Sequence, residues 1–281
     1  MKLNPYFAII LAATIGGFHG VFIKLINLPS TTIAFFRMFI PFIALIFFVN
    51  WKKLFRGDYK LMLTGSGLNA IRMFLYIVSF TLTTVANAVI MLFTWPFFAA
   101  LFSIIFLKEK ISNRTLVLIL TSFFGIVIMY LNKEISLQNT DFLGMGIMLI
   151  SAAMYASTVI IFKKGLKVYS NSETIIYQNF LGGMVFIPFI FLNPIPSSLE
   201  ISLTTIMAFL VGVVAFSLFF YALKKIKVSH FSLMSYWEAP AAIIFSIIFF
   251  RELITINMVL GGLMILISGI LLQKKQELPA D

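Results

Sequence analysis

The sequence breaks into ten apolar stretches of about twenty residues each, with very little between them. A hydrocarbon core about 30 Å thick is crossed by roughly 20 residues of helix. Breaking the chain at charges and turn residues places candidate spans at 5–26, 31–50, 61–82, 84–107, 114–132, 142–162, 172–192, 204–223, 229–249 and 255–272. The longest connections, after the second and the seventh span, hold only about ten residues, too few for a soluble domain. Apolar residues make up 61% of the chain, charged residues 11%, and the mean hydropathy is +1.05. One water-soluble core does not hide that much apolar surface, so the bilayer must be the solvent. The expected fold is an all-α integral membrane protein of ten transmembrane helices. The apolar run from Tyr6 to about Ile26 outlasts a signal peptide and reads as an uncleaved first helix. With no cysteine, disulfides and thiolate metal sites are excluded.

The distribution of charge supplies a test of this span count. Lys2, then Lys52, Lys53, Arg56 and Lys60, then Lys108, Lys110 and Arg114 all fall on one side of the membrane. So do Lys163, Lys164 and Lys167, then Lys224, Lys225 and Lys227, then Lys274 and Lys275. The opposite side holds Lys133 and Arg251, with Lys24 near the end of the first helix, while Arg37 and Arg72 lie inside spans. A miscounted helix would scramble that alternation. Basic loops stay cytoplasmic, so the expected orientation is N-in, C-in. The excess of 21 Lys and Arg over 10 Asp and Glu therefore follows membrane topology, and no nucleic-acid partner is expected.

An internal repeat doubles the architecture. FSIIFLKEKIS, from Phe102 to Ser112, matches FSIIFFRELIT, from Phe245 to Thr255, at a separation of 143 residues. Pro96 precedes one stretch and Pro240 the other. Each unit thus holds five spans, an odd number, so the second copy enters the membrane upside down. The expected units are residues 1–135 and 136–281. Inverted repeats place a substrate site near the midplane between the halves, and rocking about it gives alternating access.

The motifs FFRMFIPFIAL (35–45), WPFFAALFSIIFLKEKIS (95–112), FFYALKKIKVSHFSLM (219–234) and EAPAAIIFSIIFFREL (238–253) resemble those of the EamA-like branch of the drug/metabolite transporter superfamily. The resemblance covers nearly the whole chain and departs at Phe18-His19-Gly20, where such proteins often carry tryptophan. It implies export or exchange of amino acids and related metabolites. It also marks the Lys108-Glu109 and Arg251-Glu252 pairs as architectural family features.

Polar residues inside spans are costly and therefore informative. Asn69, Arg72 and Tyr76 share one face of the third helix, and Gly65 and Ser79 extend that stripe. The stripe is expected to line a central cavity. Glu238, the only acidic residue deep in a span, sits beside Trp237 just before Pro240, where the helix should kink. It reads as a substrate ligand or proton carrier, or as the structural ion partner of Arg72 or Arg37. Arg37 either snorkels to the headgroups or faces the cavity, and His19 either packs or lines the pathway. Trp95, Trp237 and Tyr155 complete the expected substrate-binding set. Ser151 and Thr158 share a stripe with Tyr155, and Gln178 and Asn179 are weaker candidates. Gly16, Gly17 and Gly20 are expected to allow close helix packing.

These features describe a secondary transporter with no cofactor, moving a small metabolite as a monomer or weak dimer. A zwitterion held between arginine and glutamate is the leading substrate. A cationic metabolite, such as S-adenosylmethionine or a quaternary amine held by Glu238 and cation–π contacts, is the alternative. A membrane-embedded transferase would need a cluster of nucleophiles, carboxylates or metal ligands, and the sequence has no Walker loop or HExxH. Short loops and the absence of cysteine fit a bacterial inner membrane.

Overall fold

The computed structural model describes residues 3–131, 135 and 137–274. The helices are α1 (Pro5–Leu25), α2 (Ser30–Ile46), α3 (Trp51–Leu54), α4 (Tyr59–Leu82), α5 (Val85–Leu92), α6 (Trp95–Leu107) and α7 (Asn113–Tyr130) in the first half. The second half holds α8 (Asn139–Gly165), α9 (Asn171–Val185), α10 (Pro188–Leu192), α11 (Ser198–Phe209), α12 (Phe216–Lys225), α13 (Val228–Ser235), α14 (Glu238–Phe250) and α15 (Ile256–Lys274). A π-helical turn, Leu210–Ala215, joins α11 to α12. The pairs α5–α6, α9–α10 and α13–α14 are each one span with an interruption, which gives ten spans. Nine of these are long and apolar enough to cross a membrane among the described residues, and α2, with 17 residues, is shorter. The protein is an all-α, multi-pass membrane protein of two inverted five-span repeats.

Local chemistry sets the ends of the helices. Asn4, Asp58, Thr84 and Ser112 accept from the first free N–H groups of α1, α4, α5 and α7. In the second half, Gln138/Asp141, Ser170/Glu173 and Ser197/Glu200 form capping boxes that open α8, α9 and α11. The eighth span therefore starts at Ser198, six residues earlier than its apolar run indicates, because the box tolerates polar residues in the first turn. The second span ends four residues earlier than expected, at Ile46, since Asn50 starts the separate turn α3.

Identical breaks recur in both halves. Pro96 and Pro240 lack an N–H to give, and the turns just before them tighten: Thr94 N–H donates to Met91 O, and Trp237 N–H to Met234 O. Past each break the helix runs to a left-handed cap, Lys108 (φ 55°) and Arg251 (φ 54°), 143 residues apart. A non-glycine residue in that conformation costs about 1 kcal/mol, and its repetition at one offset is the repeat written in the backbone.

The halves interleave. α4 packs on α8, α7 on α15, α2 on α9 and α1 on α14. Gly17 is the close approach between α1 and α14, where an added Cβ would lie 2.6 Å from the backbone nitrogen of Ala242. Outward faces such as Ile105, Phe106, Val117, Phe124, Ile150, Ile248 and Phe249 remain exposed and apolar, as lipid requires. At one end the basic loops meet: Arg56 donates to Val168 O at 2.7 Å and pairs with Glu173 at 2.9 Å, and Tyr177 donates to Leu54 O. At the other end Lys24 pairs with Glu252, and Asn193 donates to Thr31 and Thr32.

Gly17→Ala is expected to lower stability by about 1–3 kcal/mol, since a backbone atom cannot yield as a flexible side chain does. Gly20→Ala, which meets nothing within 4 Å, should not destabilise. Thermal unfolding of the purified protein in detergent compares the two.

Candidate functional site

A cavity of about 120 Å³ lies between the halves, and the sequence-predicted residues His19, Arg37, Arg72, Tyr76, Trp95, Tyr155 and Glu238 line it. They come from α1, α2, α4, α6, α8 and α14, so no single half builds the site. The small stripe Ala12, Ala13 and Gly16 of α1 makes room for it. Gly16 lies directly beneath Glu238, and a Cβ there would come within 3.1 Å of its carboxyl group.

Arg72 is held from behind. Its Nε donates to Asn69 Oδ1 at 2.9 Å, and Asn69 Nδ2 donates to Gln178 O at 2.7 Å. Ser151 Oγ donates to the carbonyl of Arg72 at 2.8 Å. The guanidinium lies 4.4 Å from the centre of the Tyr155 ring, which meets Trp95 edge-on at 4.9 Å. Its two terminal nitrogens make no hydrogen bond among the described residues and remain available to a ligand. Arg37 points inward, with only the weak acceptor Met73 Sδ at 3.7 Å, so it does not snorkel to the headgroups. Neither arginine forms an ion pair with Glu238 among the described residues. The structural ion pair that the sequence allowed is absent, and opposite charges face one cavity without neutralising each other. His19 lines the same wall with Nε2 buried and unpartnered.

Two expected residues stand elsewhere. Asn69 does not reach the cavity but positions Arg72 from its far side. Trp237 turns away, donating its indole N–H to Thr14 at 2.9 Å and facing a groove between α13 and α15. It precedes the first residue of α14, so the turn that aims Glu238 inward aims Trp237 outward. The stripe on α4 is also mostly seam. Gly65 accommodates Phe162 and Ile161, and Ser79 donates to Gly144 O at 2.8 Å, which locks α4 to α8. Thr158 bonds its own helix at Tyr155 O, Asn179 bonds Ile175 O, and Gln178 serves through its backbone.

Other lining residues carry little sequence signal. Leu92, Phe93 and Ser235 sit just before the two breaks, and a proline three to five residues later marks them. Val211 and Ala215 enter on the π turn and Phe216 and Phe219 just after it. The turn packs where Gly212 admits the Pro41 ring, and π turns leave no residue signature.

Two inverted five-span repeats, proline-broken helices and a cavity with charged side chains at their interface are an architecture of membrane transporters. Sequence comparison makes the assignment specific: the EamA-like transporter family matches residues 3–131 and 142–273, and the chain belongs to that family. It is 27% identical over 267 residues to an uncharacterized transporter of Archaeoglobus fulgidus, covering 94% of each chain. It is 24% identical over 230 residues to one of Clostridium kluyveri, covering 75% of this chain and 74% of the relative. A crystal structure shares the fold with a TM-score of 0.84, covering 98% of this chain and 99% of its own, at 14% identity.

Trp95→Ala removes a cavity wall and is expected to weaken apparent substrate affinity about tenfold. Trp237→Phe should leave affinity within about twofold, since the side chain faces away. The concentration dependence of transport measures both. Asn69→Ala should lower stability by about 1–3 kcal/mol, because the buried Gln178 carbonyl loses its donor.

Proposed function

We propose that the protein is a secondary transporter of amino acids or closely related zwitterionic metabolites, working by alternating access between its inverted repeats. The observation that carries this reading is the separation of charge in the cavity, where Arg72 and Arg37 face Glu238 across a space that none of them closes. A ligand bearing both a carboxylate and an ammonium group satisfies both ends at once. Buried charges left unpaired are costly, so such a ligand gains from neutralising them. Trp95, Tyr155, Phe93 and Phe216 supply an apolar wall for its side chain.

The two arginines weigh against a purely cationic substrate, because the cavity then repels what Glu238 attracts. A transferase is disfavoured, since the cavity holds one carboxylate and no cluster of metal-binding side chains occurs among the described residues. The basic loops gathered at one end favour an N-in, C-in orientation, in a bacterial inner membrane. Residues of one chain line the cavity, which fits a monomer or weak dimer.

Purified protein reconstituted into liposomes is expected to show counterflow of radiolabelled neutral amino acids. Arg72→Ala and Glu238→Gln should each reduce it at least tenfold while leaving the protein folded, since each removes one end of a charge-assisted contact. Full counterflow in both variants, or counterflow of quaternary amines in place of amino acids, would overturn the assignment.

A further inference from the structure

The two ends of the pathway are chemically equivalent by the repeat but differ in this structure. At the basic end Glu109, just after the left-handed cap of α6, accepts the backbone N–H of Val228 with both carboxylate oxygens, at 3.1 and 3.0 Å. That N–H opens α13, so the carboxylate caps the second half's broken helix and satisfies its positive end. α6 packs along α13, and Val228 is 0% exposed. From the end of α8, Lys163 Nζ crosses to the same turn and donates to Leu223 O at 2.5 Å and Ile226 O at 2.8 Å. This end is shut.

The offset of 143 residues maps Glu109 onto Glu252 and Val228 onto Val85. Glu252 follows the left-handed cap of α14, and Val85 opens α5, so the same parts stand at the opposite end. Val85 is 64% exposed, and α14 does not pack along α5. A cavity of about 660 Å³ lies between them, lined by Thr84, Val85, Ala242, Ser246, Glu252 and Lys24 among others. It lies one turn farther along α1 and α14 than the central cavity, at Gly20 rather than Gly16 and at Ala242 rather than Glu238. Lys24, near the end of α1 as Lys163 is near the end of α8, instead holds Glu252 in an ion pair.

We propose that Glu109 and Glu252 are alternating caps that shut the two ends of the pathway in turn. In the present form Glu109 seals α6 to α13 while Lys24 latches Glu252 away from α5. On reversal Glu109 releases Val228, and Glu252 leaves Lys24 for the N–H of Val85, which closes α14 onto α5. Lys24 then donates to carbonyls of the α4–α5 turn, as Lys163 now does to the α12–α13 turn. The inference rests on the transporter reading, but its test reads conformation without substrate, so it can fail while the cavity assignment stands, and the reverse.

The natural chain lacks cysteine, so a single introduced thiol reports alone. Val85→Cys and Val228→Cys, each in the full purified chain in detergent, are labelled with a polar maleimide and the rates compared. The first should react rapidly and the second slowly. Adding Glu109→Ala should slow labelling at position 85 and speed it at position 228, each about tenfold, the shift that loss of one charge-assisted hydrogen bond produces. Adding Glu252→Ala as well should restore fast labelling at 85, since the alternative cap is gone. Unchanged rates, rates that rise at both positions, or protection at 85 that persists without Glu252 would each overturn the proposal. Lys24→Met gives a second entry to the same question, because it removes the Lys24 ion pair from Glu252 with Glu109 intact. It should slow labelling at 85, and a rate equal to the parent's would also overturn the proposal.

Discussion

A guanidinium deep inside a ten-span bundle cannot face lipid, and everything around Arg72 is arranged to keep it from doing so. Asn69 takes its Nε and is itself fixed to the backbone of α9, while Ser151 ties its carbonyl to α8. The polar residues of α4 therefore form a seam to two helices of the opposite half, and only the end of the arginine and Tyr76 emerge into the cavity. The cost of that intramembrane charge is offset in part by the Asn69 hydrogen bond and the Tyr155 ring, with no ion pair to Arg72 among the described residues.

The two halves repeat the scaffold while differing in chemistry. Each has a proline-tightened turn at mid-helix and a left-handed basic residue at the helix end. At the 143-residue offset, Trp95 in one half stands where Glu238 stands in the other, and both line the cavity. One half thus presents an aromatic wall and the other a carboxylate. What the halves share is backbone geometry, and what differs is the chemistry each presents to the cavity.

Much of the fold was legible because bilayer thickness, charge alternation and the repeat each constrain the chain independently. The ten spans fall where the apolar runs do, with errors only where capping chemistry overrides hydropathy, as at Ser197/Glu200 and Asn50. The site was legible where a charge lies in a span: Arg37, Arg72 and Glu238 all face the cavity. It was less so where direction depends on a break in the helix. Helical periodicity alone puts Trp237 beside Glu238 without telling which of them points inward. Asn69 and Arg72 share a face, but which of them reaches the space depends on length, and the longer side chain does. The lining from the π turn carries no sequence signal, since a single inserted residue in the hydrogen-bond ladder rotates everything after it.

The central claim is that opposite charges held apart in one cavity select a zwitterion. Trp95 forms a wall of that cavity, and the remaining tryptophans, Trp51 and Trp237, lie outside it. In a Trp51→Phe/Trp237→Phe background, the fluorescence of Trp95 reports occupancy directly. Titration with neutral amino acids, their amides, their decarboxylated amines and their deaminated acids separates the two charges. A saturable change with the zwitterions, and a response weaker by tenfold or more with every analogue lacking one charge, is the predicted result. An equal response to the amines or to the acids alone would contradict it.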